Sequence, residues 1–520
     1  MARDPPLLAS PVPTLRSPAK VTIGHVQLRD VIICPRERGI VNYVQERSIV
    51  ENNLLEPEKP PRTLAELSFL PNTLASLQVP NTDQTLLAAG GQDAEIYLSL
   101  LTSDSRSTWQ LSTHLEGSIN NSILLTSLSL TDSNQNSAEP RMAVSNNDRV
   151  VMFFDVPIRS RAPTINPVGA VRFNVPVNHS SISPDGRTLL SVGDSSKVFL
   201  HRLTGGAHVT AAHIATLTLP PTSNLFSSPA LVASFSTAFS ADGSKYAVAS
   251  QEGAVAVWDV RSTKPLRVFH TDKSRGSSSA GDSTTWLSED PQEWSLRKSR
   301  GPGWSARNVK FGGRPGRELM LFTEHTSLIH VIDARTFETE EILHMPAFPA
   351  PAPPPPLRQR ASAASRPSPS SPSALATARI VRTLEDTFRI AAGEDVLVIP
   401  PLGDRAVERE VRRVLGHHGV PTRFRIEEED EEMEEVTVAP GRRGEEGELE
   451  DEDEQEQECV VSAPPPSREE EADLDVERNL AGACFDPSGS YVYVASDTGV
   501  AEWGVRGAEK RWWVDGAWER

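Results

Sequence analysis

The stretch FSADGSKYAVASQEGAVAVWDVRS, residues 239–262, decides the fold. It contains an Asp-Gly turn, the apolar run KYAVAS, a Gln-Glu-Gly tip and a second apolar run, AVAVWD. Val-rich apolar runs bounded by Asp, Gly and Ser predict a strand, a hairpin turn and a second strand. Because an isolated two-stranded hairpin is marginally stable, the fold depends on whether this pattern repeats along the chain.

The pattern recurs twice in nearly the same register. In SISPDGRTLLSVGDSSKVFLHRL, the interval from Asp185 to His201 equals the interval from Asp242 to Trp258. In CFDPSGSYVYVASDTGVAEWGV, Trp503 occupies the Trp position one residue earlier. Three copies in register indicate a repeat architecture in which each unit buries its sheet against its neighbours.

Weaker copies occupy residues 76–100, 141–156 and 309–335, and LRDVIICPRERGIVNYVQERSIV near the start has strand character without the turn. The count therefore reaches seven units. A ring of four-stranded blades is the closed solution for such units. The sequence predicts an all-β protein, a closed β-propeller of seven blades, with strands near 29–33 and 40–44 completing the ring with residues 511–514 or with the last blade.

Composition shifts divide the chain into segments. Proline-rich and acidic stretches cannot bury enough apolar surface to fold, so they are predicted to be disordered insertions. The "DRAVEREVRRVLGHHG" stretch has apolar residues at helical spacing and predicts a short helix after the strand "DVLVIPPLGD". The expected segments are a disordered N-terminus (1–20), propeller blades (21–345), a Pro/Ala/Ser-rich linker (346–378), an excursion with a strand and a short helix (379–426), an acidic disordered segment (427–475), and the last blade with ring closure (476–520).

The Trp258-Asp259 pair, its Asp-Gly turn and its acidic tip resemble a WD-repeat β-propeller over residues 20–345 and 476–515. LRDVIICPRERGIVNYVQERSIV, ELMLFTEHTSLIHVIDARTFE and LAGACFDPSGSYVYVASDTGVAEWGV are similar to a fungal family of WD-repeat proteins. That family is named for a short C-terminal domain of unknown function, and one yeast relative is similar to a substrate receptor of the GID ubiquitin ligase.

The resemblance implies a non-catalytic platform that binds proteins or peptides. More narrowly, it implies a substrate-recognition subunit that offers peptide or N-terminal motifs to a multi-subunit ubiquitin ligase. The alternative is a structural scaffold of a nuclear or trafficking complex that uses the propeller flank. A fold by itself does not fix the function, so both hypotheses stand at this point.

Charge and cysteine content exclude other classes. The net charge of −18 comes mainly from 18 Asp and Glu residues between Glu427 and Glu458, so the folded body is nearly neutral. A nearly neutral body disfavours nucleic acid as a partner. The spacing of the three cysteines, Cys34, Cys459 and Cys484, indicates neither a disulfide framework nor a zinc motif. The sequence has no long apolar run that would predict a signal peptide or a membrane partner. We expect a cytoplasmic or nuclear location.

Enzyme and metal signatures are absent or weak. The sequence has no glycine-rich phosphate loop, no HExxH and no GxSxG motif, so we predict neither an enzyme nor a cofactor. Glu324, His325 and His330 could suggest a metal site. However, His325 and His330 are an odd number of positions apart, and side chains alternate faces along a strand, so a shared ion would need special geometry.

The acidic hairpin tips are the candidate site. In a propeller, the turns between second and third strands lie on one rim of the channel. Asp93, Asp148 and Asp497 are in register with Glu252, and Asp194 and Glu324 stand near the two tips that lack an acid in register. These carboxylates predict a negative mouth that attracts an amine or Lys and Arg of a peptide; alternatively, each holds its own turn. The predicted partner-binding residues are Asp194, Glu252, Glu324, His325 and Asp497; the repeat markers are Asp93, Asp148, Asp242, Trp258, Asp259 and Trp503.

Overall fold

The computed structural model describes residues 6–127, 140–159, 164–220, 232–272, 303–348, 397–399, 422–424 and 478–507. Every regular element within these ranges is a β-strand, and none of them contains a helix of the length and hydropathy needed to span a membrane. The predicted short helix, the acidic segment and nearly all of the proline-rich linker lie outside the described residues.

The chain divides into two compact units, 1–352 with 464–520, and 353–463. In the second unit, two strands pair in parallel, Leu397–Ile399 and Thr422–Phe424, and the first of them lies within the predicted strand DVLVIPPLGD. In the first unit, the described strands form seven antiparallel four-stranded sheets.

The strands are numbered in chain order and grouped by blade. Strand β1 is Leu15–Pro18. Blade 1 contains β2 Ile32–Ile33, β3 Ile40–Gln45, β4 Ser48–Asn53 and β5 Arg62–Glu66. Blade 2 contains β6 Thr73–Gln78, β7 Thr85–Gly90, β8 Glu95–Leu101 and β9 Ser107–His114. Blade 3 contains β10 Asn120–Thr126, β11 Arg141–Asn146, β12 Val150–Asp155 and β13 Asn166–Arg172. Blade 4 contains β14 Val177–Ile182, β15 Thr188–Gly193, β16 Lys197–Thr204 and β17 Thr210–Thr218. Blade 5 contains β18 Ser234–Phe239, β19 Lys245–Ser250, β20 Ala254–Asp259 and β21 Arg267–His270. Blade 6 contains β22 Ala306–Arg314, β23 Arg317–Glu324, β24 Leu328–Asp333 and β25 Glu340–His344. Strands β26 and β27 are the parallel pair of the second unit, and blade 7 contains β28 Leu480–Phe485, β29 Tyr491–Ser496, β30 Gly499–Gly504 and β1.

The seven blades form a closed ring. The first strand of each blade contacts the first strand of the next blade, and β28 of blade 7 contacts β2 of blade 1. These first strands therefore surround the central channel. The all-β, seven-bladed propeller predicted from the sequence is confirmed, and the three strong and three weaker repeat copies all fall within blades.

Apolar layers between the blades hold the ring together. One continuous cluster joins blades 4 and 5, and a second joins blades 5 and 6. In blade 5, Tyr246 and Trp258 face each other on paired strands, and their rings stack with centroids 5.5 Å apart. Because each large apolar side chain that is fully buried stabilises the fold by ~1.5–3 kcal/mol, these layers give the blades their main driving force.

The prediction of a disordered N-terminus is wrong for the described residues from 6 to 20. Leu7 and Leu8 are buried, and the backbone N–H of Ala9 donates to the carbonyl of Gly504 at 2.8 Å. Strand β1 pairs with β30, with Leu15 opposite Glu502. The segment escapes sequence detection because it is only four residues long and ends in Pro18, which an outermost edge strand tolerates.

The predicted ring closure involves blades 7 and 1. The strands near 29–33 and 40–44 form the first two strands of blade 1, β2 and β3, and β2 contacts β28 of the last blade. Residues 511–514 lie outside the described residues. Chain ends do close the ring, through β1 as the fourth strand of blade 7. This pairing covers the edge of β30, which would otherwise be exposed.

Candidate functional site

The turns between the second and third strands of the blades lie on one side of the ring, which we call the upper rim. In three blades such a turn is tied to the residue that precedes the first strand of its own blade. The backbone N–H groups of Asp194, Gln251 and Asp497 donate to the carbonyls of Pro176, Ala233 and Asn479 at 3.2, 2.8 and 3.1 Å. The hairpin tips and the beginnings of the channel-lining strands therefore meet at this rim.

Most of the predicted acidic tips are accessible at the upper rim. Asp93, Asp148 and Asp194 are exposed, and Glu252 and Asp497 are partly exposed. They do not all hold their own turns in the same way. The carboxylate of Asp148 accepts a hydrogen bond from Ser118 Oγ at 2.9 Å, whereas the backbone N–H of Asp93 donates to the carboxylate of Glu95 at 2.6 Å. The rim therefore presents carboxylates to solvent on several neighbouring blades.

Asp194 is an exposed tip acid with a firm anchor. Its Oδ1 accepts a hydrogen bond from Asn178 Nδ2 at 2.8 Å, and Asn178 also donates to the carbonyl of Ser234 in the next blade. Partial desolvation raises the pKa of the Asp194 carboxyl, and the bond from Asn178 offsets part of that rise. The residue is therefore held at the junction of blades 4 and 5.

Glu324 is not part of an accessible mouth, contrary to the sequence prediction. Its side chain is fully buried, and His330 Nε2 lies 3.0 Å from its Oε1. His330 Nδ1 lies 2.7 Å from Glu340 Oε1, and the His330 ring stacks on Phe322 at 4.1 Å. The physical reason is that Glu324 ends β23 inside blade 6, where a buried imidazole needs an acceptor.

The two carboxylates control the protonation of His330. Burial by itself lowers the pKa of this imidazole, but the hydrogen bonds and charges of Glu324 and Glu340 outweigh burial and raise the pKa above its ordinary value. Protonated His330 donates to both carboxylates, and such charge-assisted hydrogen bonds are stronger than neutral ones. Glu324, His330 and Glu340 therefore link the second, third and fourth strands of blade 6.

His325 is also fully buried, so its predicted place in an open pocket is wrong. Arg307 Nε donates to His325 Nδ1 at 3.2 Å, and Arg29 Nη2 lies 3.5 Å from His325 Nε2. Burial and the two guanidinium charges lower the pKa of His325 well below its ordinary value. We call Arg29, Arg307 and His325 the arginine cluster; sequence analysis missed both arginines.

A segment that precedes blade 1 covers the channel at the upper rim. We call residues 24–30 the crossing segment. The carbonyl of Gly24 accepts a hydrogen bond from Gln92 in blade 2 at 2.6 Å, whereas Leu28 packs against Ala233 and Phe235 in blade 5. Blades 2 and 5 stand on opposite sides of a seven-membered ring, so this segment spans the opening. A ligand therefore meets the rim surface rather than an open channel.

Blade 7 lets the crossing segment reach blade 6. Its channel-lining strand reads LAGACF, and a side chain at Gly482 would meet the carbonyl oxygen of Arg29 at 2.8 Å. That carbonyl accepts a hydrogen bond from Asn308 Nδ2 at 3.0 Å. Glycine is needed here because only a residue without Cβ permits the backbones to approach so closely.

A polar network joins the crossing segment to blades 4 and 6 inside the channel. The carboxylate of Asp30 lies 3.0 Å from Lys310 Nζ in blade 6 and 3.9 Å from His179 Nε2 in blade 4. Burial by itself raises the pKa of Asp30, but the charge of Lys310 and the interaction with His179 outweigh it and bring the pKa to about 2. The carboxylate is therefore ionised at neutral pH and compensates the lysine.

The repeat markers lie in structural surroundings. Asp242 accepts hydrogen bonds from Ser240 Oγ at 2.6 Å and from the Ser244 backbone at 3.0 Å, and these bonds lower its pKa to about 2. Asp259 contacts Arg261 at 2.8 Å. Trp258 and Trp503 are fully buried, and the indole N–H of Trp503 donates to the carbonyl of Pro11 at 3.1 Å.

Within the described ranges, no group of three or more His, Cys, Asp and Glu side chains is arranged to hold a metal ion. The pair His325 and His330 shows why: His330 turns to Glu324 and Glu340, whereas His325 turns to the arginines. The arrangement at the upper rim is therefore one of hydrogen bonding and charge, with exposed carboxylates above buried guanidinium groups.

One comparison with known proteins matches blade 6, and another matches a longer stretch of the chain. An uncharacterised protein domain, DUF2415, matches residues 305–344, which coincide with blade 6 and its arginine and histidine residues. An uncharacterised protein of Schizosaccharomyces pombe is 28% identical over 175 residues, which is 33% of this chain and 40% of that relative. The chain therefore spans about two fifths of the length of the curated relative that it matches.

Proposed function

We propose that the upper rim is a peptide-binding surface and that the protein is a substrate-recognition subunit of a ubiquitin ligase. The coarser statement, an interaction platform, follows from the seven-bladed fold, which in known proteins typically presents loops to protein partners. The finer statement rests on the resemblance in sequence and on the chemistry of the rim.

One observation carries the proposal: exposed or partly exposed carboxylates stand on the tips of five blades on the same rim, at Asp93, Asp148, Asp194, Glu252 and Asp497. Several negative carboxylates around a common surface attract a cationic group and raise its local concentration. A peptide N-terminus or its Lys and Arg side chains supply such a group. The crossing segment closes the channel beneath, so the peptide would lie on the rim.

The test is charge reversal at two accessible tips in the full chain. We expect Asp194→Lys with Glu252→Lys to reduce capture of peptides with a free N-terminus from a synthetic library by at least tenfold, because each change also places a like charge near the amine, at an expected cost of ~1 kcal/mol or more. Binding is measured by fluorescence anisotropy, and thermal unfolding checks that the fold persists. Glu324→Lys is unsuitable because Glu324 is buried.

Glu338→Lys is the matched control, since Glu338 is exposed and lies in the turn between the third and fourth strands of blade 6, on the opposite side of the ring. This control should leave capture unchanged. Equal capture by the parent and the double variant would refute the peptide-binding rim. If the protein captures peptides but no ubiquitin-ligase subunits copurify with it, the receptor role is refuted and the peptide-binding rim is not.

The scaffold alternative requires a flank surface suited to a partner. Among the large exposed apolar side chains in the described ranges, Leu55, Ile214 and Ile342 lie on three different blades, and Val260 and Leu266 share one turn of blade 5. Single exposed apolar residues are normal on soluble proteins. No described feature therefore favours the flank over the upper rim.

A further inference from the structure

We propose that the arginine cluster is a binding site for one carboxylate group, held by Arg29 of the crossing segment and Arg307 of blade 6. The site has the opposite charge preference to the acidic tips, of which Asp497 lies close enough to interact with Arg29. It does not rest on the proposed function, because the cluster could hold a carboxylate whether or not the tips bind a peptide.

The first support is that the cluster is built from buried side chains. Arg29 is 5% exposed, Arg307 is 1% exposed and His325 is fully buried. Their surroundings hold them in place: Arg29 Nη1 donates to the carbonyl of His25 at 2.6 Å, and Arg307 Nη1 donates to Gln251 Oε1 at 3.2 Å. The Arg307 guanidinium also lies over the Phe235 ring at 4.8 Å. The site is therefore preorganised rather than formed by mobile surface arginines.

The second support is that the donors outnumber the acceptors. Arg29 Nε and Arg307 Nη2 are buried and have no hydrogen-bond partner among the described residues. His325 cannot make up the difference, because a neutral imidazole accepts a hydrogen bond at only one of its two ring nitrogens. One of the two guanidinium groups therefore faces an N–H group. Buried donors without acceptors are costly, and an added acceptor relieves that cost.

The third support is the charge balance. Guanidinium groups keep their proton at neutral pH, so Arg29 and Arg307 carry two positive charges. The negative charge of Asp497 stabilises the charged form of Arg29. In the described part of the chain, the charged neighbour of Arg307 is Arg29, which carries the same sign of charge. His25, next to both, stays neutral because burial and the two arginines lower its pKa to about 4. The cluster therefore retains uncompensated positive charge.

These three features select a carboxylate. A guanidinium group is a planar fork of donors that fits the two oxygens of a carboxylate, and the pairing is strongest where water is excluded. Two sources share this chemistry: a small free carboxylate, or the C-terminal carboxylate of a peptide. The cluster lies at the upper rim beside the hairpin tips of blades 5 and 6.

The test measures the thermal unfolding midpoint of the full chain against ligand concentration. A ligand that binds only the folded state stabilises it by RT ln(1 + L/Kd), where L is the free ligand concentration, so the midpoint rises with the logarithm of L once L exceeds Kd. We expect sodium acetate to raise the midpoint in this way above sodium chloride at equal ionic strength, or acetyl-trialanine with a free C-terminus to raise it above the same peptide as its C-terminal amide. The first result identifies a free carboxylate and the second a peptide terminus, and either supports the site.

Variants locate the effect. Arg307→Lys keeps the charge but loses the fork, and we expect the apparent affinity to fall by ~10- to 100-fold, the value of a hydrogen bond to a charged group; Arg29→Lys should act in the same direction. Arg261→Met is the control because Arg261 is an exposed arginine. The proposal is overturned if neither carboxylate differs from its matched control in the wild-type chain, or if Arg261→Met weakens binding as much as Arg307→Lys.

Discussion

Blades 5 and 6 have the same strand layout and register but different interiors. On the middle two strands of blade 5, Val248 faces Ala256 at the position where blade 6 has Phe322 facing His330. In both blades the first strand has one bulged residue near its beginning. That residue is Phe235 in blade 5 and Arg307 in blade 6. Blade 5 is held by apolar contacts, whereas blade 6 contains ionisable groups.

The difference shows which residues a repeat pattern marks. Trp258 and Asp242 identify blade 5 in the sequence: Trp258 is buried in the core, and Asp242 accepts hydrogen bonds within its own turn. Blade 6 departs from the pattern, and there Glu324 and His330 form a buried hydrogen-bonded pair. Buried ionisable groups cost stability unless they are paired, and in blade 6 Glu324 and His330 compensate each other. Departures from the repeat therefore point to the chemistry of this protein.

The largest effect is expected in the apolar blade. Trp258→Ala should lower the free energy of unfolding by ~3–5 kcal/mol, because it removes a fully buried indole and leaves a cavity beside Tyr246. Urea unfolding followed by far-UV circular dichroism measures the change. Trp503→Ala is the parallel variant in blade 7 and should cost a similar amount. A loss below about 1 kcal/mol would show that the blade 5 core repacks freely.

A smaller effect is expected from the charged pair of blade 6. Glu324→Gln keeps an acceptor for His330 but removes the charge, so we expect a loss of ~1–2 kcal/mol, the difference between charged and neutral hydrogen bonds. Glu338→Gln in the same blade is exposed and should change stability by less than about 0.5 kcal/mol. If both variants cost equally little, the buried pair contributes nothing to blade 6.

The smallest effect is the pH dependence of blade 6. The pKa of His330 is raised in the folded state, so its contribution is fully present below the unfolded value of about 6.5 and is lost as the pH rises through the folded pKa. The stability gap between the wild-type chain and His330→Gln should therefore narrow from pH 6 to pH 9 in thermal unfolding. The lowered pKa values of His25 and His325 act in the opposite direction but are shared by both chains. A constant gap would exclude this titration.

Features that depend on local pattern were predictable from the sequence. The Asp-Gly turns and the alternating strands identified the blades because turn geometry and side-chain alternation depend on neighbouring residues. Prediction failed at β1, since LRSP is short and has no alternating apolar pattern. It failed also at Glu324 and His325, which the register placed at a tip: Glu324 is buried against His330, and His325 contacts Arg29, nearly three hundred residues away.

The amino-acid sequence by itself determined the all-β class, the count of seven blades and the side of the ring on which the tips gather. Only the tertiary structure decided that residues 24–30 cross the channel, that Arg29 and Arg307 meet at His325, and that Glu324 turns inward to His330. The physical reason is range. Turns and strands are set by residues a few positions apart, whereas desolvation, charge compensation and hydrogen-bond satisfaction depend on groups that ring closure brings together.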